Sequence, residues 1–345
     1  MKDQIFAALL LLTLAGCATS TAQRRPAEAI TGIITPKVLI VTLFEPEAKL
    51  WRAGKTHTYS VPGAFSPLLC DDSDLCMMVS GRGIANTAAS MLAVGINPQI
   101  DLRKTYIIEA GIAGGRPDQI SLGSVAFVEW AANGDSGYRF DRAELPKRIE
   151  FENFRYGCLT PWCQVDDSFS YNNDIFRLNH DLIGAGLAIS KSIKLADNNQ
   201  ARNYRLTYPQ EAARMSPFVR ACDLVSGDTF FHGKKMSDWA SWWLKHWSDN
   251  RGTYCVSAME EPGLLLSLKR LADSQLIDFS RVMVIRSVAN YDQPRGPDQT
   301  VLQSLSGRNN GHEISFQNVF LVGSSVAKTI IDNWVIWSSG VPATK

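Results

Sequence analysis

The chain has 345 residues, a formal net charge of +1, and is 45% hydrophobic and 20% charged. That balance supports a sizeable buried core, and without a Lys/Arg cluster it argues against nucleic acid as a partner. No Walker or dinucleotide fingerprint is present and the cysteines lack neighbouring histidines, so neither a cofactor nor a metal is expected.

The first stretch, "MKDQIFAALLLLTLAGC", has a charged start, an apolar run from Ile5 to Leu14 and small residues before Cys17. The run is too short for a permanent span and ends as a secretory signal does. Its end resembles the bacterial lipobox, which implies cleavage before Cys17 and lipidation of its thiol. Residues 1–17 are therefore expected to be a lipoprotein signal peptide and 18–36 a flexible tether. The expected location is the bacterial cell envelope, in the periplasm on a lipid anchor, with the outer membrane favoured. No later apolar run approaches the ~20 residues a helical span needs.

From residue 37 to 345 we expect one domain, long but within reach of a single α/β fold carrying an insertion. Short β-branched runs alternate with helical patterns, which predicts βαβ units and a mainly parallel sheet. Strands are expected at "KVLIVTLF" (37–44), "LCMMVSG" (75–81), "TYIIEAG" (105–111) and "GSVAFVEWA" (123–131), with a helix at "IANTAASMLAVG" (84–95). Residues 134 to 216 are polar and irregular and read as an insertion, with "YNNDIFRLNHDLIGAGLAISKS" its clearest helix. Further strands follow at "ACDLVSG" (221–227), "TYCVSA" (253–258) and "RVMVIRSVA" (281–289), and a last helix from about Phe316 to Trp337. Trp239, Trp243 and Trp247 recur every four residues, a helical stripe suited to core packing.

Six cysteines remain after Cys17. Cys70 with Cys76 and Cys158 with Cys163 bracket short turns and are disulfide candidates. Cys222 and Cys255 lie on expected core strands, where they either pair or stay buried thiols.

In open parallel sheets, ligands bind beyond the carboxyl ends of strands. The distinctive residues here sit at such ends: "TLFEPE", "SGRG", "EAGIAGG", "SGDTFFHG", "SAMEEPG" and "RSVANYD". In that order they resemble the nucleoside phosphorylase/nucleosidase superfamily, and the whole chain is similar to its purine nucleoside permease branch. At the motif level the methylthioadenosine/adenosylhomocysteine nucleosidases share most of these features. The resemblance covers most of residues 37–337. It implies a three-layer αβα phosphorylase/hydrolase-like fold with a mixed, largely parallel central sheet.

The resemblance also implies roles. Breaking a ribosyl C–N bond builds positive charge on the sugar and negative charge on the base, so the site needs a hydroxyl-gripping carboxylate, a stacking surface and a nucleophile. Glu260 would accept both ribose hydroxyls, Met259 would pack under the sugar, and Phe230 with Phe231 would stack on the purine. Glu47 matches the carboxylate that activates water. Asn290 stands where nucleosidases carry the acid that protonates N7, and an amide cannot deliver a full proton; Asp292 is the candidate replacement. Arg82, Gly111, Ile112 and Arg286 form the candidate anion or nucleophile site. Two unit charges ~4 Å apart repel by about 4 kcal/mol at an effective dielectric near 20, so Glu47 and Glu109 favour water over phosphate.

The expected activity is therefore purine nucleoside binding with N-glycosidic cleavage, by hydrolysis to free base and ribose. That would make the protein an N-glycosyl hydrolase or a pentosyltransferase. The alternatives are a phosphate-dependent phosphorylase and a non-catalytic nucleoside-binding lipoprotein assisting transport. Partners on this reading are a purine nucleoside, water or phosphate, the membrane through the lipid anchor, and a further copy of the chain. In "SAMEEPG", Glu260 is assigned to the sugar and Glu261 to the start of the following helix.

Overall fold

The computed structural model describes residues 28–149, 151–158, 173–306 and 308–342. The signal segment and lipidation expected around Cys17 lie outside the described residues, as does Cys163. The strands are β1 (Val38–Thr42), β2 (His57–Tyr59), β3 (Leu68–Cys70), β4 (Leu75–Val79), β5 (Tyr106–Gly115), β6 (Val125–Phe127) and β7 (Trp130–Asn133). They continue as β8 (Tyr138–Arg139), β9 (Asn153–Phe154), β10 (Ile175–Arg177), β11 (Val219–Ala221), β12 (Asp223–Ser226), β13 (Tyr254–Ala258) and β14 (Val282–Tyr291).

All but β8 and β9 join one mixed sheet, in which β10-β7-β12-β13-β5-β1-β4-β3-β2 run side by side. β14 lies along β5 in parallel and also pairs β6, which in turn pairs β11. β1 is parallel to both β4 and β5, and all five of its side chains are buried. A strand covered on both faces reads as an unbroken apolar run, which is why "VLIVT" shows no alternation. Each fully buried Val, Leu or Ile contributes roughly 1.5–3 kcal/mol, so β1, β4, β5 and β14 anchor the domain. Helices cover the sheet to complete a three-layer αβα arrangement. Helix His312–Asp332 lies on β14 and β5, while Gly83–Gly95 packs directly on Glu261–Asp273.

Several expectations shift. Residues 28–36 are not a loose tether: Glu28 bridges Tyr59, Ile34 bridges Ile100, and Ile30 is buried. Backbone pairing supplies the partners that a free tether would leave to water. The strand expected over 123–131 is two, β6 and β7. The Asp223 carboxylate accepts the Glu129 and Trp130 N–H groups (3.2 and 2.8 Å) and redirects the chain between them. The last helix breaks at Asn333, leaving a separate turn, Trp334–Trp337.

Among the described residues, His312–Asp332 is also long and apolar enough to cross a bilayer, which the sequence reading did not anticipate. Half of its most apolar window is buried inside the fold. Trp239 and Trp243 are buried in the core, as their spacing suggests. Cys70–Cys76 and Cys222–Cys255 are disulfides, the first joining β3 to β4 directly. Cys158 is disulfide-bonded as well.

Candidate ligand-binding site

The loops after β1 and β4 meet the ends of β5, β12, β13 and β14 around a cavity of about 210 Å³. Glu47, Arg82, Ile112, Phe230, Phe231, Met259, Glu260, Arg286 and Asn290 all line it. Residues from six separated stretches of sequence thus converge on one space.

Behind the cleft lies a buried charge cluster. Arg286, on β14, donates through Nε to Glu261 (2.6 Å) and through Nη2 to Glu109 (2.7 Å) and Glu260 (3.1 Å). Its Nη1 donates to the Ile112 carbonyl (3.1 Å). The planar fork of a guanidinium suits such multiple engagement, and each buried carboxylate needs it. Burial pushes the Glu109 carboxyl well above its ordinary range, against the pull of Arg286. Glu260 is shifted upward for the same reason.

Glu47 sits on the short helix Glu45–Ala48, whose Pro46 suits the first helical turn. Its two oxygens accept the Leu43 and Ile112 N–H groups, each at 2.8 Å. Burial raises its pKa to about 7, with Arg286 opposing and Glu260 reinforcing. Glu260 caps the far side of the cleft, where Oε1 accepts the Gly83 N–H (3.3 Å) at the start of helix Gly83–Gly95. Gly83 has φ +83°, a left-handed value that favours glycine. Asp228 takes the next amide, Ile84 N–H, at 2.8 Å. Two carboxylates therefore serve one positive helix end.

Asn290 donates to the Tyr291 carbonyl (3.0 Å). A Cβ at Gly114 would lie 3.3 Å from Asn290 Nδ2 and 2.7 Å from Ser257 Oγ, so the glycine keeps this corner open. Phe230 is about half exposed at the mouth, and Arg82 stacks over Phe44 at 4.4 Å.

The structure leaves Asp292 and Gly111 outside the cleft lining and engages the polar groups of Ile112 and Arg286 elsewhere. Asp292 is buried and does not line it; its Oδ2 accepts the Tyr254 hydroxyl (2.8 Å), and burial raises its pKa to about 7. Gly111 is enclosed by Arg286, Leu43 and Glu47, leaving no room for a ligand. The Ile112 N–H is taken by Glu47 and the Arg286 guanidinium by three carboxylates. Of the four residues expected to hold an anion, only Arg82 keeps an exposed charge facing the cavity. Glu261 is more than a helix-start charge, because its side chain bridges Arg286 and Ser226 Oγ (2.6 Å). Sequence reasoning gave no role to Ser257, Thr229 or His312, which also line the cleft. Ser257 lies within the quoted "SAMEEPG"; His312 carries no local signal.

Residues 35–342 match the purine nucleoside permease family profile. The chain belongs to that family. A probable purine nucleoside permease of Schizosaccharomyces pombe is 28% identical, over 89% of this chain and 92% of its own length. A purine nucleoside permease of Candida albicans is 26% identical, over 89% of this chain and 78% of its own. Among solved structures, the methylthioadenosine/adenosylhomocysteine nucleosidase of Neisseria meningitidis superposes with a TM-score of 0.53 at 16% identity, covering 86% of this chain and all of its own. The futalosine hydrolase of Helicobacter pylori gives 0.53 at 11% identity, covering 85% and 98%. At such identities these two establish the fold.

The family corrects two expectations. The relatives matched in sequence are named permeases, which points away from an N-glycosyl hydrolase or pentosyltransferase. They are also fungal, which overturns the bacterial, lipid-anchored periplasmic location.

Proposed function

We propose that the cleft binds an intact purine nucleoside and serves as the recognition site of a nucleoside permease. One observation carries the reading: Glu260, Phe230 and Asn290 line the same cavity, with an amide where cleavage would need an acid. Glu260 accepts hydrogen bonds from the ribose hydroxyls, Met259 packs beneath the sugar, and Phe230 with Phe231 stacks on the base. Asn290 hydrogen-bonds the purine edge near N7, holding the base without protonating it. Glu47 lines the same cavity, held by two backbone amides. With Glu47, Glu109, Glu260 and Glu261 grouped around one guanidinium, the surroundings favour a neutral ligand over a phosphate dianion.

Calorimetry with inosine, guanosine and adenosine, followed by chromatography of the released ligand, tests this. Saturable binding with the nucleoside recovered intact is expected. No binding, or free base accumulating with or without phosphate, would overturn it.

A further inference from the structure

Five ionisable groups gather at the floor of the cleft, and their charges do not balance. Glu47, Glu109, Glu260, Glu261 and Arg286 are each 6% exposed or less. Four carboxylates against one guanidinium leave an excess of negative charge if every carboxyl is ionised. Oxygens of Glu109, Glu260 and Glu261 lie within 4.8 Å of one another. Like charges so close in a dry site do not all persist; a carboxyl keeps its proton instead.

The contacts show which carboxyl is free to exchange one. Glu261 holds Arg286 Nε and the Ser226 hydroxyl, both at 2.6 Å, and Glu109 holds Arg286 Nη2 at 2.7 Å. Glu260 holds the same Nη2 at 3.1 Å, together with the Gly83 and Met259 N–H groups. Among the described residues, Glu47 is the member of the four that accepts nothing from the guanidinium; its donors are two backbone amides. It also lines the cavity, where Glu109 and Glu261 do not, so cleft water can deliver a proton to it.

The other charges around Glu47 are few. Glu45, on the same short helix, is paired with Arg52 at 2.8 Å. β1 and β4, which pack on that helix, carry no charged side chain, and β5 brings Glu109. Arg82 and His312 line the cavity and draw Glu47 toward its ionised form, while Asp228 is turned to the Ile84 N–H.

A nucleoside in the cleft moves this balance one way. Its ribose hydroxyls donate to Glu260 and keep that carboxylate ionised. Its sugar displaces the water that solvates Glu47, which raises the cost of a charge there. Both effects favour a proton on Glu47.

We propose that the cleft takes up a proton together with its nucleoside, and that Glu47 holds it. The proton comes from solvent, Glu47 passes from carboxylate to carboxylic acid, and the nucleoside is unchanged. The proposal rests on the reading of the cleft given above. By reciprocity the proton tightens the nucleoside as much as the nucleoside tightens the proton. A proton gradient across a membrane would then bias loading and unloading of a permease site.

Calorimetry with inosine at pH 7, in two buffers of different ionisation enthalpy, counts the protons. About half a proton should be taken up per nucleoside, because free Glu47 titrates at about 7 and the bound group above it. Affinity should be level between about pH 5 and pH 6 and weaken above pH 7, by up to about tenfold per unit. The infrared difference spectrum on adding inosine should gain a protonated-carboxyl band, which a histidine cannot give. Glu47→Gln should remove the buffer dependence and the band together; should that variant fail to fold, the wild-type proton count and spectrum still decide. Inosine bound with no proton taken up, or with one released, would overturn the coupling and leave the cleft standing. Uptake without the carboxyl band, or uptake that persists in Glu47→Gln, would overturn the role of Glu47. No binding at any pH would remove the reading of the cleft as well.

Discussion

Arg286 Nε and Glu261 Oε1 lie 2.6 Å apart, with both side chains fully buried beneath the cleft. Glu109 and Glu260 share the same guanidinium. Removing one partner of a buried ion pair strands the others, at about 3–5 kcal/mol. Arg286→Met should therefore lower stability by that amount in urea titration. Arg286→Lys should recover less than half, because a single ammonium cannot reproduce the separate Nε and Nη2 contacts. A loss under 1 kcal/mol for the Met variant would mean that the cluster is not what holds this end of the sheet.

The raised pKa of Asp292 makes stability depend on pH. Its carboxyl moves from 3.8 to about 7, chiefly through burial, with the Tyr254 hydroxyl opposing. A folded-state pKa above the unfolded one means that the native protein holds the proton more tightly. Its contribution is therefore greatest near pH 4 and is lost as pH rises toward 7, on the order of 3 kcal/mol. Glu47, raised to about 7, adds a slope of the same sign. Asp292→Asn keeps an acceptor for Tyr254 and cannot ionise. It should flatten part of the slope and be more stable than wild type at pH 8, as measured by denaturant unfolding at pH 5 and pH 8. Parallel pH profiles for the two proteins would refute the assignment.

Ribose recognition by Glu260 can be tested from the ligand side, which leaves Arg286 undisturbed. A hydrogen bond to a charged group is worth about 1.5–3 kcal/mol, so 2′,3′-dideoxyinosine should bind at least tenfold more weakly than inosine. Phe230→Ala should cost roughly 1 kcal/mol, about fivefold, for both ligands alike, because stacking does not depend on the sugar. Equal affinities for the two nucleosides would remove Glu260 from the sugar.

How far the sequence reveals this molecule follows from what is local. β1, β4, β5, β12, β13 and β14 are legible because buried strands need uninterrupted apolar runs, and most end at glycine or in a short polar turn. β2 and β3 are not, since "HTYSVPGAFSPLLC" is broken by two prolines and a glycine, and its pairing depends on β4. Glu260 is legible at a strand end. The role of Glu261 is not, because its partner Arg286 lies 25 residues away and meets it only in the folded sheet. The engaged state of the Ile112 N–H depends on Glu47, 65 residues earlier.

The packing of the two helices whose first turns meet at Glu260 yields a last prediction. Glu261–Asp273 crosses Gly83–Gly95 at Gly263, where an added Cβ would run into the Ile84 carbonyl oxygen and lie 2.9 Å from its carbon. Backbone cannot yield as a side-chain tip can, so the helices must separate, at about 1–3 kcal/mol. Separation would also pull Glu260 from the Gly83 N–H, now 3.3 Å away. Gly263→Ala should thus lose both stability and nucleoside affinity. Gly32→Ala meets nothing within 4 Å and should stay within about 0.5 kcal/mol of wild type. Thermal unfolding and calorimetry on the pair check both effects. If Gly263→Ala lost stability while binding inosine normally, the helix crossing would be structural and the Glu260–Gly83 contact would not set the geometry of the cleft.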